Sequence, residues 1–540
     1  MRHSPRRAAD ILAKRLYKAG CRHAFGMPGG EVLTIIDALR KAGIRFTLVK
    51  HENSAGFMAE GVYHRTGAPA ILVATLGPGA MNGVNSIANA HQDRVPLIVL
   101  TGCVDEDEAL TYTHQIMDHG AIFETITKAT FRMTAQGADI VADKAVGIAT
   151  EGRPGPVHID VPISVADMEG VTSHLSGRTV ASKVTPADGP DLDLARGWLS
   201  TAKRPVMIVG LDAMNDAAGA DIQAFCEKFN VPFLTTYKAK GIVPETHSLC
   251  LGAAGLSPLA DKTLVPFVQA ADLIICAGYD PIEMRTGWRG LWDPAKTNVI
   301  DISAVPNHHY MHQATLNFVA DTGVSLRTIA TGSGTQPTWV NGEIDAVKLA
   351  LQQAFPHDEI WGPAAIIDEC RKRLPETTLA TADSGAHRIL LSQMWTCYEP
   401  RGLMQSSAFC TMGCAVPLAM GAKIASPDKP VISFSGDAGF LMVAGELATV
   451  AELGIKPIFL VFVDASLALI ELKQRQREMI NHAVDFGLHD YGAIARAFGG
   501  DAYTVATRNE LRAALEHAQK AETFTLIAAT IERGAYDGRL

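Results

Sequence analysis

The stretch 431–477 constrains the fold of this chain more than any other feature. It opens with an apolar run at 431–435, the length of a buried parallel strand. After a glycine-bearing turn, a helical pattern covers 446–453 and ends at Gly454, a residue type favoured just past helix ends. A second apolar run follows at 458–463. Because strand–helix–strand crossovers join parallel strands and are right-handed in nearly all cases, we expect an α/β fold with a parallel sheet.

Two aspartates directly follow these predicted strands. Asp437 and Asp464 lie 27 residues apart, at the carboxyl edge of the sheet, where open α/β sheets hold their ligands. Neighbouring strands are about 4.8 Å apart, and two carboxylates that close repel unless a cation joins them or one takes a proton. Their oxygen atoms suit Mg²⁺, whose shell is often completed by waters and phosphate oxygens. The alternative is that both are ordinary acidic turn residues.

The motifs GDAGFLM at 436–442 and VDAS at 463–466 resemble the signature of the thiamine diphosphate (ThDP) enzymes. Ala438 stands where that signature has a third glycine, and a Val-Asp pair replaces the commoner Asn pair. The Val-Asp form is familiar from the flavin-free, catabolic acetolactate synthases. The resemblance implies that Asp437, Asp464 and the backbone carbonyl of Ser466 bind the metal. It implies cofactor binding by Gly436, Asp437, Ala438, Asp464 and Ser466.

Three motifs near the N-terminus resemble the ThDP pyrimidine domain in the family's order: FGMPGGEVL at 25–33, HENSAGFMAEGVY at 51–63 and TLGPGAMNGVNSI at 75–87. The resemblance implies that Glu52 is catalytic and bonds the pyrimidine nitrogen remote from the reactive carbon. A carboxylate there favours the imino form, so that the cofactor itself takes the proton from its reactive carbon. The alternative for Glu52 is a helix-cap acid. The resemblance also implies cofactor contacts by Pro28, Gly29 and Asn82, and a substrate-side position for Gly26.

Local signals in this region predict its helices. Asn53 can cap a helix over 54–65. The glycine-rich segment 77–83 is expected to be a loop at the functional edge of the first sheet.

The string THQIMD at 113–118 resembles the catabolic acetolactate synthases. It implies catalytic roles near the substrate for His114 and Gln115, on a loop. For His114 the alternative is an ordinary surface or turn histidine.

Two motifs in the last third of the chain also resemble the family. TADSG at 381–385 implies a place near the diphosphate for Ser384. CTMGCAVP at 410–417 implies that Met412 is the apolar wedge between the two cofactor rings, although a single Met is usually core filler.

The helix after Asp464 lines the substrate side in relatives, which implies pocket positions for Leu467 and Ile470. Leu467 and Leu469 stand where catabolic acetolactate synthases have an aromatic residue and a Met. These two positions therefore leave the identity of the substrate undetermined. Nearby basic residues either meet an anionic substrate or form a solvated face: Lys473, Arg475 and Arg477.

Length and composition bound the remaining questions. The 540 residues allow about three domains of roughly 150 residues. A net charge of −9 without a basic tract argues against a nucleic-acid surface. No run of 18 apolar residues and no signal-peptide core occur, so we expect a cytoplasmic protein without a membrane span. The nine scattered cysteines predict reduced, mostly buried thiols, a zinc site being the alternative.

Alternating strand and helix patterns predict three doubly wound parallel-sheet domains, at 1–175, 193–335 and 356–540. By resemblance these bind the pyrimidine, form a middle domain and bind the diphosphate. Polar stretches at 172–192 and 331–341 are typical of linkers. Some relatives carry FAD in the middle domain. This sequence lacks G-x-G-x-x-G there, and GYDPIEM resembles the flavin-free members, so we favour a structural domain.

Taken together, the resemblance implies a ThDP- and Mg²⁺-dependent enzyme acting on a 2-oxo acid, acetolactate synthase-like, that joins two pyruvates to give 2-acetolactate and CO₂. Alternatives are a 2-oxo acid decarboxylase, a 2-hydroxyacyl-CoA lyase and, from other classes, a flavin-dependent oxidoreductase or a degenerate scaffold. Relatives place the cofactor between subunits, which implies a homodimer or homotetramer.

Overall fold

The computed structural model describes residues 6–172 and 180–540 and contains three six-stranded sheets whose strand pairs are all parallel. The first and third sheets share the strand order 2-1-3-4-6-5, counted within each sheet. The middle sheet has the order 3-2-1-4-5-6, in which the chain reverses direction across the sheet at one switch point. Helices flank each sheet, so the prediction of three doubly wound α/β units is confirmed.

The first sheet lies within residues 23–162. Its strands are β1 His23–Gly26, β2 Arg45–Leu48, β3 Ala70–Ala74, β4 Leu97–Cys103, β5 Ala129–Arg132 and β6 Val157–Pro162. Its helices are α1 Ala8–Lys18, α2 Leu33–Ala42, α3 Glu52–Thr66, α4 Pro78–Gln92, α5 Glu106–Ala109, α6 His119–Glu124, α7 Ala138–Thr150 and α8 Ile163–Asp167. The central strands β3 and β4 are wholly buried, which explains their nearly continuous apolar sequences, while β6 is equally buried but carries two polar residues, His158 and Asp160.

The middle sheet lies within residues 205–319. Its strands are β7 Pro205–Val209, β8 Phe233–Thr235, β9 Cys250–Ala253, β10 Leu273–Ala277, β11 Asn298–Ser303 and β12 Leu316–Val319. The helices of this part of the chain are α9 Pro190–Thr201, α10 Leu211–Asn215, α11 Gly219–Phe229, α12 Pro258–Gln269, α13 Thr322–Ala330 and α14 Glu343–Ala354.

The third sheet lies within residues 379–530. Its strands are β13 Leu379–Ala382, β14 Leu403–Gln405, β15 Val431–Gly436, β16 Ile458–Val463, β17 Asp501–Val505 and β18 Thr525–Thr530. Its helices are α15 Pro363–Arg373, α16 Ala386–Met394, α17 Ala415–Ala425, α18 Asp437–Leu441, α19 Glu446–Leu453, α20 Ala468–Gln476, α21 Tyr491–Ala497 and α22 Arg508–Ala518. One-turn 3-10 helices occur at Gly30–Val32, Ala135–Gly137, Tyr237–Ala239, Pro281–Glu283 and Thr286–Trp288.

The crossover predicted over 431–477 is confirmed. Strands β15 and β16 are direct parallel neighbours, with Gly436 opposite Phe462. Helix α19 spans the predicted residues, and Gly454 follows it with a left-handed φ of 61°. The chain therefore leaves both strands at the same edge of the sheet.

Three local predictions are wrong. Helix α3 begins one residue before Asn53, and its cap is His51, whose ring nitrogen Nδ1 accepts from the Asn53 backbone N at 3.1 Å. The segment 77–83 is mostly helical, because Pro78 starts α4 at a position that needs no N–H donor. The linker predicted over 172–192 overlaps α9, which already begins at Pro190. Residues 173–179 of that linker lie outside the described residues.

Helices α3 and α17 pack backbone to backbone and join the first unit to the third. A Cβ atom on Gly61 would lie 2.4 Å from the Leu418 carbonyl oxygen, and one on Gly421 would lie 2.0 Å from the Met58 carbonyl oxygen. Only glycine allows helices to approach this closely.

All nine cysteines are unpaired, eight of them buried and Cys410 exposed, in agreement with the prediction of reduced thiols.

Candidate active site

The carboxylates of Asp437 and Asp464 meet at the ends of β15 and β16. Asp437 Oδ2 accepts hydrogen bonds from the backbone N of Asp464 at 3.1 Å and of Ala465 at 2.7 Å. Asp464 Oδ1 accepts from the Ser466 backbone N at 3.2 Å. The Asp437 side chain thus crosses from one strand end to the next, as expected from the crossover.

Burial disfavours the charged forms of these two acids. Burial raises the pKa of Asp437. Burial, and then the charge of Asp437, raises the pKa of Asp464 to about 7. Two adjacent carboxylates that disfavour ionisation fit a hard divalent cation such as Mg²⁺, which offsets their repulsion.

One cleft gathers the residues predicted in the last third of the chain. It has a volume of about 180 Å³. Its lining includes Ser384, Met412, Gly436, Asp437, Ala438, Asp464, Ser466, Leu467 and Ile470. Residues from three strand ends of the third sheet therefore face a common space.

His387 also lines this cleft and was missed by the sequence analysis. It is buried on the first turn of α16, and its ring stacks on Phe462 with centroids 5.4 Å apart. Burial, and then the Arg388 charge, lowers the pKa of His387 to about 3, so the imidazole is neutral. Among the described residues its Nε2 atom has no hydrogen-bond partner. A buried polar atom without a partner at a cleft wall indicates a place for a ligand.

Asp383 fixes the turn that carries Met412. Its carboxylate accepts from the backbone N of Gly413 at 2.9 Å and of Cys414 at 3.2 Å. Burial raises the pKa of Asp383 to about 6. Asp383 belongs to the quoted TADSG motif, but its partners are 30 or more residues away, so the contact was not visible in the sequence.

Glu52 and Asn82 come together at the edge of the first sheet. Glu52 is buried, and Asn82 Nδ2 donates to its Oε2 atom at 3.0 Å. The cap of α3 is His51, so the capping alternative for Glu52 lacks support. Gly79 adjoins the carboxylate, because a Cβ there would lie 3.3 Å from Glu52 Oε1 and 2.7 Å from Thr75 Cγ2.

The two nearby glycines have packing reasons of their own. A Cβ on Gly26 would lie 1.9 Å from the Val73 carbonyl oxygen, and a Cβ on Gly29 would lie 2.6 Å from Thr75 Oγ1. Pro28 between them is exposed. Their contacts with substrate or cofactor stay predictions.

Gln115 lies on a loop, as predicted, with a left-handed φ of 58°. It lines a second cavity, of about 270 Å³, together with His119 and Asp160. His114 is exposed, and its ring meets the edge of Tyr112.

His119 is a further residue that the sequence analysis missed. Its Nδ1 lies 2.9 Å from Asp160 Oδ1, and the backbone N of Gly77 donates to its Nε2 at 3.4 Å. Because Nε2 accepts, Nδ1 carries the proton toward Asp160. His119 thereby ties the start of α4 to the loop of Gln115.

The two groups of residues occupy different places in one chain. The cleft of Asp437 is lined, among described residues, by side chains between 384 and 536, and Glu52 is not among them. Of the nearby basic residues, Arg475 is engaged by Glu471 at 2.6 Å and Asp537 at 2.7 Å. This favours the solvated-face interpretation for Arg475.

Family models match all three units. The thiamine pyrophosphate enzyme N-terminal binding domain matches residues 6–122, the central domain 192–329 and the C-terminal binding domain 383–529. The chain belongs to the thiamine pyrophosphate enzyme family. The predicted recognition of this family is confirmed, and the chain is a ThDP-dependent enzyme of the acetolactate synthase type.

Curated relatives of this ThDP enzyme cover most of its length. An acetolactate synthase from Bacillus subtilis is 29% identical over 97% of this chain and 93% of its own. The catabolic acetolactate synthase of Raoultella terrigena is 26% identical over 97% and 95%. An acetolactate synthase large subunit from Corynebacterium glutamicum is 32% identical over 83% and 73%. In the described parts of the ThDP enzyme, no helix combines the length and apolarity needed to cross a membrane.

Proposed function

We propose that this ThDP enzyme uses Mg²⁺ and converts two pyruvate molecules into 2-acetolactate and CO₂. The observation that carries the proposal is the meeting of Asp437 and Asp464 at adjacent strand ends, in a cleft lined by the other predicted cofactor residues. The names of the relatives, acetolactate synthases, support the reaction.

The carboxylates of Asp437 and Asp464 and the backbone carbonyl of Ser466 hold the Mg²⁺ in this proposal. Ser384, Gly436 and Ala438 face the diphosphate. The neutral His387 adds a hydrogen bond through its unpartnered Nε2. Met412, on the turn fixed by Asp383, would be the apolar side chain that packs against the cofactor rings.

ThDP, when bound, supplies a nucleophilic carbon and takes up the electron pair left by departing CO₂. Glu52 bonds the pyrimidine ring, and Asn82 orients the Glu52 carboxylate. Gln115 and His114 stand on the substrate side with Gly26, while Pro28 and Gly29 adjoin the cofactor. Leu467 and Ile470 keep water from the reacting carboxylate, which assists the loss of CO₂.

We further propose that the site is shared between two subunits of a homodimer, alone or within a homotetramer. Within one chain, Glu52 does not line the cleft of Asp437. This supports the proposal that a second subunit supplies the glutamate at that cleft.

The proposed domains are 1–175, 193–335 and 356–540. Nine unpaired cysteines support a cytoplasmic location.

The decisive experiment supplies pure protein with ThDP, Mg²⁺ and pyruvate and identifies the product. 2-Acetolactate with CO₂ supports the proposal. Acetaldehyde alone indicates a decarboxylase, and a requirement for an acyl-CoA indicates a lyase. The Asp464→Asn variant tests the metal site separately. After dialysis against EDTA, the variant and the wild-type protein should bind ThDP equally weakly. Added Mg²⁺ should then tighten ThDP binding in the wild-type protein only.

A flavin-dependent oxidoreductase is not proposed. The switch point of the middle sheet lies between β7 and β10, where a nucleotide would bind. Arg153 pairs there with Asp212 at 3.1 Å, and Arg94 with Asp280 at 3.0 Å. These buried ion pairs support a structural role for this unit, and a visible spectrum without flavin bands tests it.

A further inference from the structure

A cavity of about 500 Å³ lies where the three units meet, and among the described residues it shares no lining residue with either cavity above. We name it the junction cavity. It is lined by Tyr63 and Arg65 at the end of α3, Asn215 and Ala220 of the middle unit, and Arg401 of the third. Its size falls within the range of roughly 300–1,000 Å³ typical of small-molecule sites.

The lining of the junction cavity is basic. Among the residues that the structure describes, it contains two arginines and no aspartate or glutamate. Arg65 donates to Glu399 at 3.1 Å, but Glu399 also pairs with Lys429, so one carboxylate serves two cations. The cavity wall therefore keeps a positive charge.

Arg401 is the less neutralised of the two arginines. Its guanidinium donates to Asn215 Oδ1 at 3.0 Å, to the Tyr63 hydroxyl at 3.4 Å and to His64 Nδ1. Within the described ranges no carboxylate forms a direct ion pair with it, and the buried Glu60 carboxylate acts on it only from behind His64, whose Nε2 lies 3.0 Å from Glu60 Oε1. Burial, and then the Arg401 charge, keeps the pKa of His64 well below its usual range, so His64 is neutral too.

The geometry holds this cation at the cavity wall. Arg401 adopts a left-handed φ of 59°, and its guanidinium carbon lies 4.8 Å from the centre of the Tyr63 ring. The Nδ2 atom of Asn215 is buried and has no partner among the described residues. Gly219 and Ala220, in the first turn of the eleven-residue helix α11, contribute the positive end of its dipole.

We propose that the junction cavity binds a small phosphate-bearing anion, with the Arg401 guanidinium as its main contact. A planar guanidinium matches two phosphate oxygens with two parallel hydrogen bonds. The phosphate brings the negative charge that this wall lacks, and the remaining volume accommodates an organic group such as a nucleoside.

Isothermal titration of the holoenzyme tests the proposal. The protein is first saturated with ThDP and Mg²⁺, so that the diphosphate site is filled. Inorganic phosphate and ADP are titrated separately. Binding of phosphate alone indicates the free ion, and tighter binding of ADP indicates a nucleotide; both outcomes support the site. We expect Arg401→Met to weaken binding by about tenfold or more, since a charge-assisted contact is lost.

Two more variants keep the test decisive. Ala220→Trp fills the cavity and leaves the hydrogen bonds of Arg401 in place, so it should abolish binding even if Arg401→Met folds poorly. Arg22→Met is the matched control, because Arg22 stacks on Tyr17 at 3.7 Å on another surface and should bind as wild type. Absence of binding of both probes at millimolar concentration, or binding unchanged by both Arg401→Met and Ala220→Trp, would overturn the proposal.

Discussion

At the scale of single residues, Glu52 allows a clean separation of chemistry from folding. Glu52→Gln keeps the shape of the side chain and an oxygen that accepts from Asn82. It removes the charge that the proposed reaction needs. We expect turnover of pyruvate to fall by about 10²–10⁴-fold, the usual worth of an acid–base group. The melting temperature should stay near that of wild type.

The control for Glu52→Gln is Glu516→Gln, at an exposed position of α22. Steady-state assays of both variants with saturating ThDP measure turnover, and thermal melts under the same conditions measure the stability of the fold. Full turnover in Glu52→Gln would remove its assigned role.

Lys238 is a buried cation between two buried acids. Its Nζ lies 3.3 Å from Glu60 Oε1 and 3.0 Å from Asp93 Oδ2. Lys238→Met leaves both acids without this cation, so we expect a loss of about 3–5 kcal/mol in the free energy of unfolding. Lys262→Met, at an exposed position, is the control and should be neutral. Denaturant titration measures both.

The pH dependence of this loss has a definite sign. Burial raises the pKa of Glu60 and of Asp93 above their ordinary values of 4.5 and 3.8. Above those values the unfolded chain releases protons that the folded chain keeps, so stability falls as pH rises. Removing Lys238 raises both pKa values further. The deficit of Lys238→Met should therefore grow with pH above about 4.5; a constant deficit would contradict this.

Site residues were predictable where chemistry and strand ends coincide in the sequence. Asp437 and Asp464 each end an apolar run, so their meeting followed from the crossover alone. His119 and His387 gave no such signal. His119 gains its role from Asp160 and Gly77, about 40 residues away in opposite directions, and His387 from the cleft that its burial helps to form.

At the scale of elements, the central strands were predictable because both their faces are buried: β16 is continuously apolar, and the apolar run of β15 is interrupted only by small residues. Edge strands such as β9, β12 and β14 have three or four residues, too few to show a period. The misplaced cap of α3 has a similar origin: His51 and Asn53 both precede a helical pattern, and only tertiary contacts choose between them.

The α3–α17 contact provides a prediction at this scale. Gly421→Ala brings a Cβ against the Met58 backbone, which cannot move like a side chain. We expect a loss of about 1–3 kcal/mol or more from overpacking. Gly197→Ala is the matched helical control: no atom of the described residues lies within 4 Å of the added Cβ, and the substitution should stabilise the protein by about 0.5–1 kcal/mol. Urea unfolding compares the two, and equal effects would refute the close packing.

At the scale of the whole molecule, contacts among all three units hold the segment that leads to Met412. Lys238 of the middle unit reaches Asp93 of the first. Asp93 in turn accepts from the backbone N of Ser407 at 3.2 Å and of Ala408 at 2.8 Å, in the segment leading to Met412. The position of the proposed cofactor wedge thus depends on contacts among all three units.

The proposed sharing of the site between subunits is tested by mixing two inactive variants, Glu52→Gln and Asp437→Asn. If one site combines Glu52 of one subunit with Asp437 of another, each mixed dimer contains one intact site and one doubly altered site. Random pairing in a two-fold dimer makes about half of the dimers mixed, so about one quarter of wild-type turnover should return. If both groups came from the same chain, no intact site would form.

A matched pair controls for this experiment. Asp437→Asn mixed with Asp464→Asn should recover nothing, because both acids lie in the same cleft of one chain and every site keeps one altered acid. Native mass spectrometry verifies that mixed dimers form in each case. If turnover recovers with Glu52→Gln and Asp437→Asn but not with the control pair, the site is shared, because one active site then needs Glu52 from one chain and Asp437 from the other. Verified mixed dimers without recovered turnover would place the whole site in one subunit.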